Sequence, residues 1–299
     1  MGAATSTSGE RKATFTYIWA IENGNSLIFG TSVSSPVFTV NSLEVSKWSL
    51  GWYVFGSDIR LFLQREQDCA EPERIELDYE LSFLGTNGLP LIKRTGTHTF
   101  RRGFYSGFSK FAVRDEVFCR RRAEFLPRDV LTVRCRMLRK ANGTLKPQVC
   151  FARTSFGLDR RCFVWTIKDF SSLPLGHKTT LFLKSTSEAA SDLLLNFCLK
   201  EYDGKECVSI DIDRDDVTKL SGITGEIAIL DVEGTVVHSE KIYLNYFKRN
   251  MSLCKFIEKS KLLSNVTYFL PNDVLSLRCE LEIYYGPHWN GIENGIGIN

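Results

Sequence analysis

Two hundred and ninety-nine residues leave room for two domains of about 150 residues or one large one. With 43% hydrophobic and 24% charged residues, the chain holds enough apolar surface to offset its ordering entropy, which excludes a mainly disordered protein. The net charge of +3 is too small to imply nucleic acid or membrane as a partner, although the halves differ: residues 1–150 carry 21 Lys+Arg against 15 Asp+Glu (+6), and residues 151–299 carry 17 against 20 (−3).

The opening MGAATSTSGERKATF is polar and lacks the apolar core of a signal peptide; Gly2 and Ser6 fit an N-myristoylation pattern that chance often produces. No apolar run reaches the 18 residues or so that span a bilayer. ATFTYIWAI then places Phe15, Tyr17, Trp19 and Ile21 on one face of a strand, and KWSLGWYV, DIRLFLQ and IELDYELSFL alternate in the same way. GTNG reads as a hairpin turn, FSKFAVRDEVF (108–118) as a short helix, and DVLTVRCRML as a closing strand. KANGTLKPQ carries the Asn-Gly and Pro of a connection, so residues 141–160 are expected to be a linker. Beyond it, CFVWTI, TTLFLKS, CVSIDID, EIAIL and DVLSLRCELEI are strands, DVEG is a turn and LCKFIEKSKLL (253–263) is a helix. The Gly- and Asn-rich end, 287–299, is expected to be a poorly ordered tail.

The chain repeats itself. FLPRDVLTVRC and FLPNDVLSLRC, ending at Cys135 and Cys279, are 144 residues apart. Residues 108–118 match 253–263, LSFLGTNG matches IAILDVEG, and YIWAIEN matches FVWTIKD, all in the same order at nearly the same offset. That spacing is too long for a solenoid and implies two independent domains, at 12–140 and 161–286. Short period-two strands with turn residues between them make each an antiparallel β-sandwich carrying one small helix, so the fold class is all-β.

The remaining chemistry is sparse. Nine cysteines include no CxxC pair, and without a secretory signal they are expected to be reduced thiols, with Cys135 and Cys279 buried in strands. The four histidines have no metal-ligand spacing, and no nucleophile elbow is present, so neither an enzyme nor a metal or other cofactor is expected. Asp211, Asp213 and Asp215 share the spacing of a calcium loop, but Asp216 stands where glycine is required and Gly222 where a glutamate should chelate; an acidic solvated loop is the better reading. The arginines near RRGFYSGF form no extended basic stripe, so nucleic acid is not an expected partner.

Both copies resemble the MATH (TRAF-like) domain. The resemblance rests on the opening aromatic strands (Phe15, Trp19, Ile21; Phe163, Trp165, Ile167), KWSL, GFSKFAVRDEVF and the closing Leu-Pro-x-Asp-x-Leu strand. The first copy is most similar to the speckle-type POZ substrate adaptors of cullin ubiquitin ligases. The resemblance implies a groove in which an extended Ser/Thr-rich peptide adds along a sheet edge while a pocket takes an apolar side chain. Carried over position by position, that groove falls on Phe62, Tyr79, His98, Tyr105, Ser106 and Phe108. Ser106 stands where the family has Trp, Tyr105 where it has an acid and His98 where it has Tyr, so peptide preference is not inherited. The second copy is more divergent, with Asp211, Gly225, Tyr243, Met251 and Leu253 as counterparts.

The resemblance implies a protein-binding module that recognises substrate proteins through short linear peptides, in the cytoplasm or nucleus, with other MATH/BTB adaptors as a second class of partner. A BTB/POZ domain follows the MATH region in those adaptors and none is expected here, which points to a truncated competitor or a protein working through another adaptor. The alternative is a structural, oligomeric interaction protein with degenerate grooves.

Overall fold

The computed structural model describes residues 11–29, 32–43, 45–67, 72–140, 148–216, 218–219, 221–245 and 248–293; Gly2, Ser6 and the 141–147 part of the expected linker lie outside them. The chain divides into two compact units, Met1–Phe156 with Pro287–Asn299, and Gly157–Gly286.

The first unit contains β1 (Arg11–Glu22), β2 (Val33–Ser34), β3 (Phe38–Val40), β4 (Ser46–Phe55), β5 (Asp58–Arg65), β6 (Arg74–Leu84), β7 (Pro90–Arg101), β8 (Tyr105–Val113), β9 (Val130–Lys140) and the start of β10 (Gln148–Ile167). One sheet runs β7-β6-β9-β1-β10 and the other β2-β4-β5-β8, with β3 on β4. Alternation explains the sandwich. Phe15, Tyr17, Trp19 and Ile21 are buried, and Trp48, Trp52, Phe83 and Phe111 meet them in one core. The pairings along these two sheets are antiparallel except that of β1 with β10, which is parallel over Phe15–Glu22 and Gln148–Ser155.

The second unit contains the end of β10, then β11 (Lys178–Leu183), β12 (Leu193–Tyr202), β13 (Lys205–Arg214), β14 (Ser221–Leu230), β15 (Val236–Leu244), β16 (Asn250–Glu258) and β17 (Leu275–Glu293) as far as Gly286. Its sheets run β15-β14-β17-β10 and β11-β12-β13-β16, the same order as in the first unit. Trp165, Phe197, Ile210, Ile227 and Leu277 form its core.

The duplication reaches single contacts. Arg65 at the end of β5 and Arg214 at the end of β13 are both fully buried. Arg65 donates to the carbonyls of Pro72, Glu73 and Phe100, and Arg214 to those of Ser221 and Asn245. The N–H of Asn25 donates to Asp129 at 3.1 Å, and the N–H of Ser171 to Asp273 at 2.9 Å. Both turns after Leu-Pro hold two residues at positive φ, Arg128–Asp129 and Asn272–Asp273. GTNG and DVEG are hairpin turns, with Gly88 and Gly234 in the left-handed region.

Four expectations are corrected. The segment 108–118 is strand as far as Val113; helix begins at Arg114, continues through the π-helical Glu116–Arg120 and is followed by α1 (Arg122–Phe125). Likewise 253–258 is strand, followed by α2 (Lys259–Leu263) and α3 (Val266–Phe269), so each unit carries more than one short helix. A β-bulge causes the misreading. The pairing skips between Ile59 and Leu61 opposite Ala112 and Phe108, so buried positions recur at helix-like spacing within a strand. Residues 148–160 of the expected linker are β10, and the tail is strand through Glu293, where Arg153 stacks on Trp289 at 4.7 Å and bonds Glu293 at 2.8 Å. Finally, Asp211 and Asp213 lie within β13 and are not part of a loop.

Candidate functional site

The first unit's two sheets end side by side on the edge strands β7 and β8. Pairing with β5 sets the direction of the β8 side chains. Ser106 lies opposite Leu63 and Phe108 opposite Leu61, sharing the inward face of those buried leucines, whereas Tyr105 lies opposite Gln64 and Gly107 opposite Phe62 on the outer face. The six expected residues therefore split into two groups.

On the inner side, the Tyr79 hydroxyl of β6 and the Ser106 hydroxyl of β8 are 3.0 Å apart, a hydrogen bond that ties one sheet to the other. Tyr79 is buried; burial raises its phenol above the usual value, with the Ser106 bond opposing. Gly96 leaves room for the ring, since a Cβ there would stand 3.0 Å from the phenol carbon and oxygen. Half-buried Phe108 packs 6.1 Å from Tyr79 and 6.2 Å from Phe111. His98 is exposed on β7, its ring edge-on to Phe100 at 4.9 Å.

On the outer side, Phe62 and Tyr105 lie 4.9 Å apart, with Phe62 over Gly51, where a Cβ would stand 2.0 Å from the ring. Two residues join them that the sequence reading missed. Tyr53 is 6.0 Å from Phe62, and the Arg60 guanidinium sits 4.4 Å from the Phe55 ring and donates to the Tyr53 hydroxyl at 3.0 Å. The hairpin register, which sets Tyr53 opposite Arg60, is the signal that would have found them. Tyr53, Arg60, Phe62, Tyr105 and Phe108 line a shallow cavity of about 240 Å³; Tyr79, His98 and Ser106 do not reach it. Such a set can stack on side chains and pair with a backbone. Among the described residues no three His, Cys, Asp or Glu converge as metal ligands, and no helix is long and apolar enough to cross a membrane.

In the second unit the register supports most of the expected counterparts. Asp211 lies opposite Ser252, Leu253 opposite Ile210 and Met251 opposite Ile212. Gly225 replaces Tyr79, but its pairing with Ile242 makes buried Leu244, not exposed Tyr243, the equivalent of His98. The aromatic lining is gone, and Asp211 is held by Lys200 at 2.9 Å and the Ser252 hydroxyl at 2.5 Å.

Comparison with known proteins places the first unit. Residues 31–136 match the MATH domain. A MATH domain is a protein-interaction module, and the second unit lies outside that match. The mouse (Mus musculus) TD and POZ domain-containing protein 5 is 26% identical over 131 residues, which are 41% of this chain and 38% of that protein, so the chain spans well under half of this relative. A solved structure of Notothenia coriiceps TRAF5 aligns with 44% of this chain and 79% of its own at 16% identity, with a TM-score of 0.33.

Proposed function

We propose that the first unit binds linear Ser/Thr-rich segments of other proteins along the β7/β8 edge pair, as the substrate-recognition part of a ubiquitin-ligase adaptor system, and that the second unit is a divergent MATH copy. The observation that carries the reading is the open edge of β8, which presents unpaired backbone beside Tyr105 and Phe108 while the Tyr79–Ser106 bond holds the two sheets together behind it. An extended peptide adding there gains main-chain hydrogen bonds, and the Phe62–Tyr105 shelf supplies stacking area. The adaptor setting is supported by the POZ-containing relative, and the second copy by its matching strand order.

The test is binding of the full chain to an array of extended Ser/Thr-rich peptides, alongside Tyr105→Ala and Phe108→Ala. Wild-type binding in the micromolar range, lost in both variants while circular dichroism is unchanged, is the expected result. Folded wild type that binds no peptide would remove the groove. A second reading, an oligomeric interaction protein, is favoured by the loss of aromatic lining at Asp211, Gly225 and Met251. Light scattering that gives more than one chain per particle would favour it.

A further inference from the structure

We infer that the second unit holds a pocket for an arginine side chain presented by a partner protein. The argument comes from the chain's comparison with itself. In the first unit, Arg94 of β7 reaches to β8 and donates through Nε to the carbonyl of Phe111 at 3.1 Å, closing the gap between the two sheet edges. The pairings make Glu240 the equivalent of Arg94, because Gly225 pairs with Ile242 as Tyr79 pairs with Gly96. They make Phe256 the equivalent of Phe111, because Ile257 pairs with Val208 as Ala112 pairs with Ile59. A carboxylate cannot donate to a carbonyl, so the bridge is lost. In its place the second unit has an open cavity of about 690 Å³, lined by both Glu240 and Phe256.

The chemistry of the opening fits a guanidinium. Tyr268 and Phe269 give it aromatic walls, above buried Phe256 and the His238 ring that lies edge-on to it at 4.8 Å, and such walls favour arginine stacking over an ammonium. Two acids at the rim are already neutralised, Asp203 by Lys255 at 2.5 Å and Glu258 by Lys205 at 2.8 Å. Glu240 is different: its ion-pair contact is with His238 Nε2 at 3.6 Å, and among the described residues it has no lysine or arginine partner. Lys261, the remaining cation of the lining, is exposed on α2. A partner's arginine would supply the cation that Arg94 supplies internally in the first unit. It would face Glu240 and the aromatic walls, with its peptide outside.

The experiment uses the full chain and Gly/Ser peptides carrying one central Arg, Lys, Leu or Glu, with N-acetyl-arginine amide as the free cation, read by calorimetry and amide chemical shifts. The Arg peptide is expected to bind best and to shift resonances of β15 and β16, and Glu240→Gln to weaken it about tenfold or more. Glu240→Arg is expected to abolish binding while raising the melting temperature, because it restores the internal bridge. Any of four results would overturn the proposal: equal or better binding of the Lys, Leu or Glu peptide; no dependence on Glu240; binding retained by Glu240→Arg; or a lowered melting temperature in that variant. Tyr105 and Phe108 variants leave this site intact, so it stands or falls separately from the groove of the first unit.

Discussion

Replacing Thr154 with valine should destabilise the first unit by about 1.5–4.5 kcal/mol. Thr154 lies in β10, outside the 31–136 match, and is fully buried. Its hydroxyl accepts from the buried indole N–H of Trp19 at 2.8 Å and donates to Asn290 Oδ1 at 2.6 Å. Valine has nearly the same shape and suits a strand, so the change isolates the hydroxyl. An indole N–H left buried without an acceptor costs about 1–3 kcal/mol, and the lost bond to Asn290 adds about 0.5–1.5 kcal/mol. Thr154→Ser keeps the hydroxyl and removes one buried methyl, for about 1 kcal/mol. Urea unfolding followed by tryptophan fluorescence separates them, as a shift in midpoint at constant slope. A loss below about 0.5 kcal/mol for valine, or a serine variant weaker than the valine one, would refute the reasoning. Either would mean that the Thr154 hydroxyl is not what holds β10 against Trp19.

Arg65→Met and Arg214→Met should each destabilise their own unit by about 3 kcal/mol, because each leaves buried carbonyls without a donor; urea midpoints of the two variants check this, and equal losses would show that the repeated device works in both copies. Alkylation of the native chain should modify Cys119, Cys162 and Cys254, which are exposed, well before Cys135 and Cys279. Burial pushes the Cys279 thiol up to about 12, with the nearby Cys162 adding to the rise, and it raises Cys135 as well; peptide mass spectrometry against time gives the order. The Tyr268 hydroxyl, together with the N–H groups of Glu233 and Thr235, holds the Asp231 carboxyl below its usual range although desolvation opposes. A carboxyl depressed in the folded state stabilises above its unfolded pKa of about 4 and loses that stabilisation as pH falls through the folded value. Asp231→Asn should therefore flatten the acid limb of a stability–pH curve while lowering stability at neutral pH, as measured by urea midpoints at each pH.

Strand content, the turns and the duplication were legible because each rests on local chemistry. Alternating burial from Phe15 to Ile21 and the left-handed glycines of GTNG and DVEG need no tertiary knowledge. What failed was whatever depends on pairing. The bulge opposite Arg60 makes a strand look helical from within, and only its register with β5 reveals it. Residues 148–156 read as a connection because their partner, β1, is more than 120 residues away in the chain. The candidate site divides along the same line. Aromatic identity at Phe62, Tyr105 and Phe108 is visible in sequence, whereas the separation of outer shelf from inner Tyr79–Ser106 bond is a matter of which neighbour each strand residue faces.

The two sandwiches share their closing contacts and differ in the chemistry of their edges. Both units keep the residues that close the fold, the buried arginine at the end of β5 or β13 and the aspartate that fixes the opening loop. They differ where the edge strands meet. The first unit fills one end with Arg94 and lines its outer face with Tyr53, Phe62 and Tyr105. The second has glycine for Tyr79, aspartate for Phe62 and glutamate for Arg94, which strips the aromatic shelf and opens a cavity at the opposite end of the edge. Substitutions at an edge leave the core pairing untouched, because the edge strands contribute one ladder rather than two, so sequence can drift there at small cost in stability. The surface chemistry of the edge is therefore free to change while the sandwich stays the same.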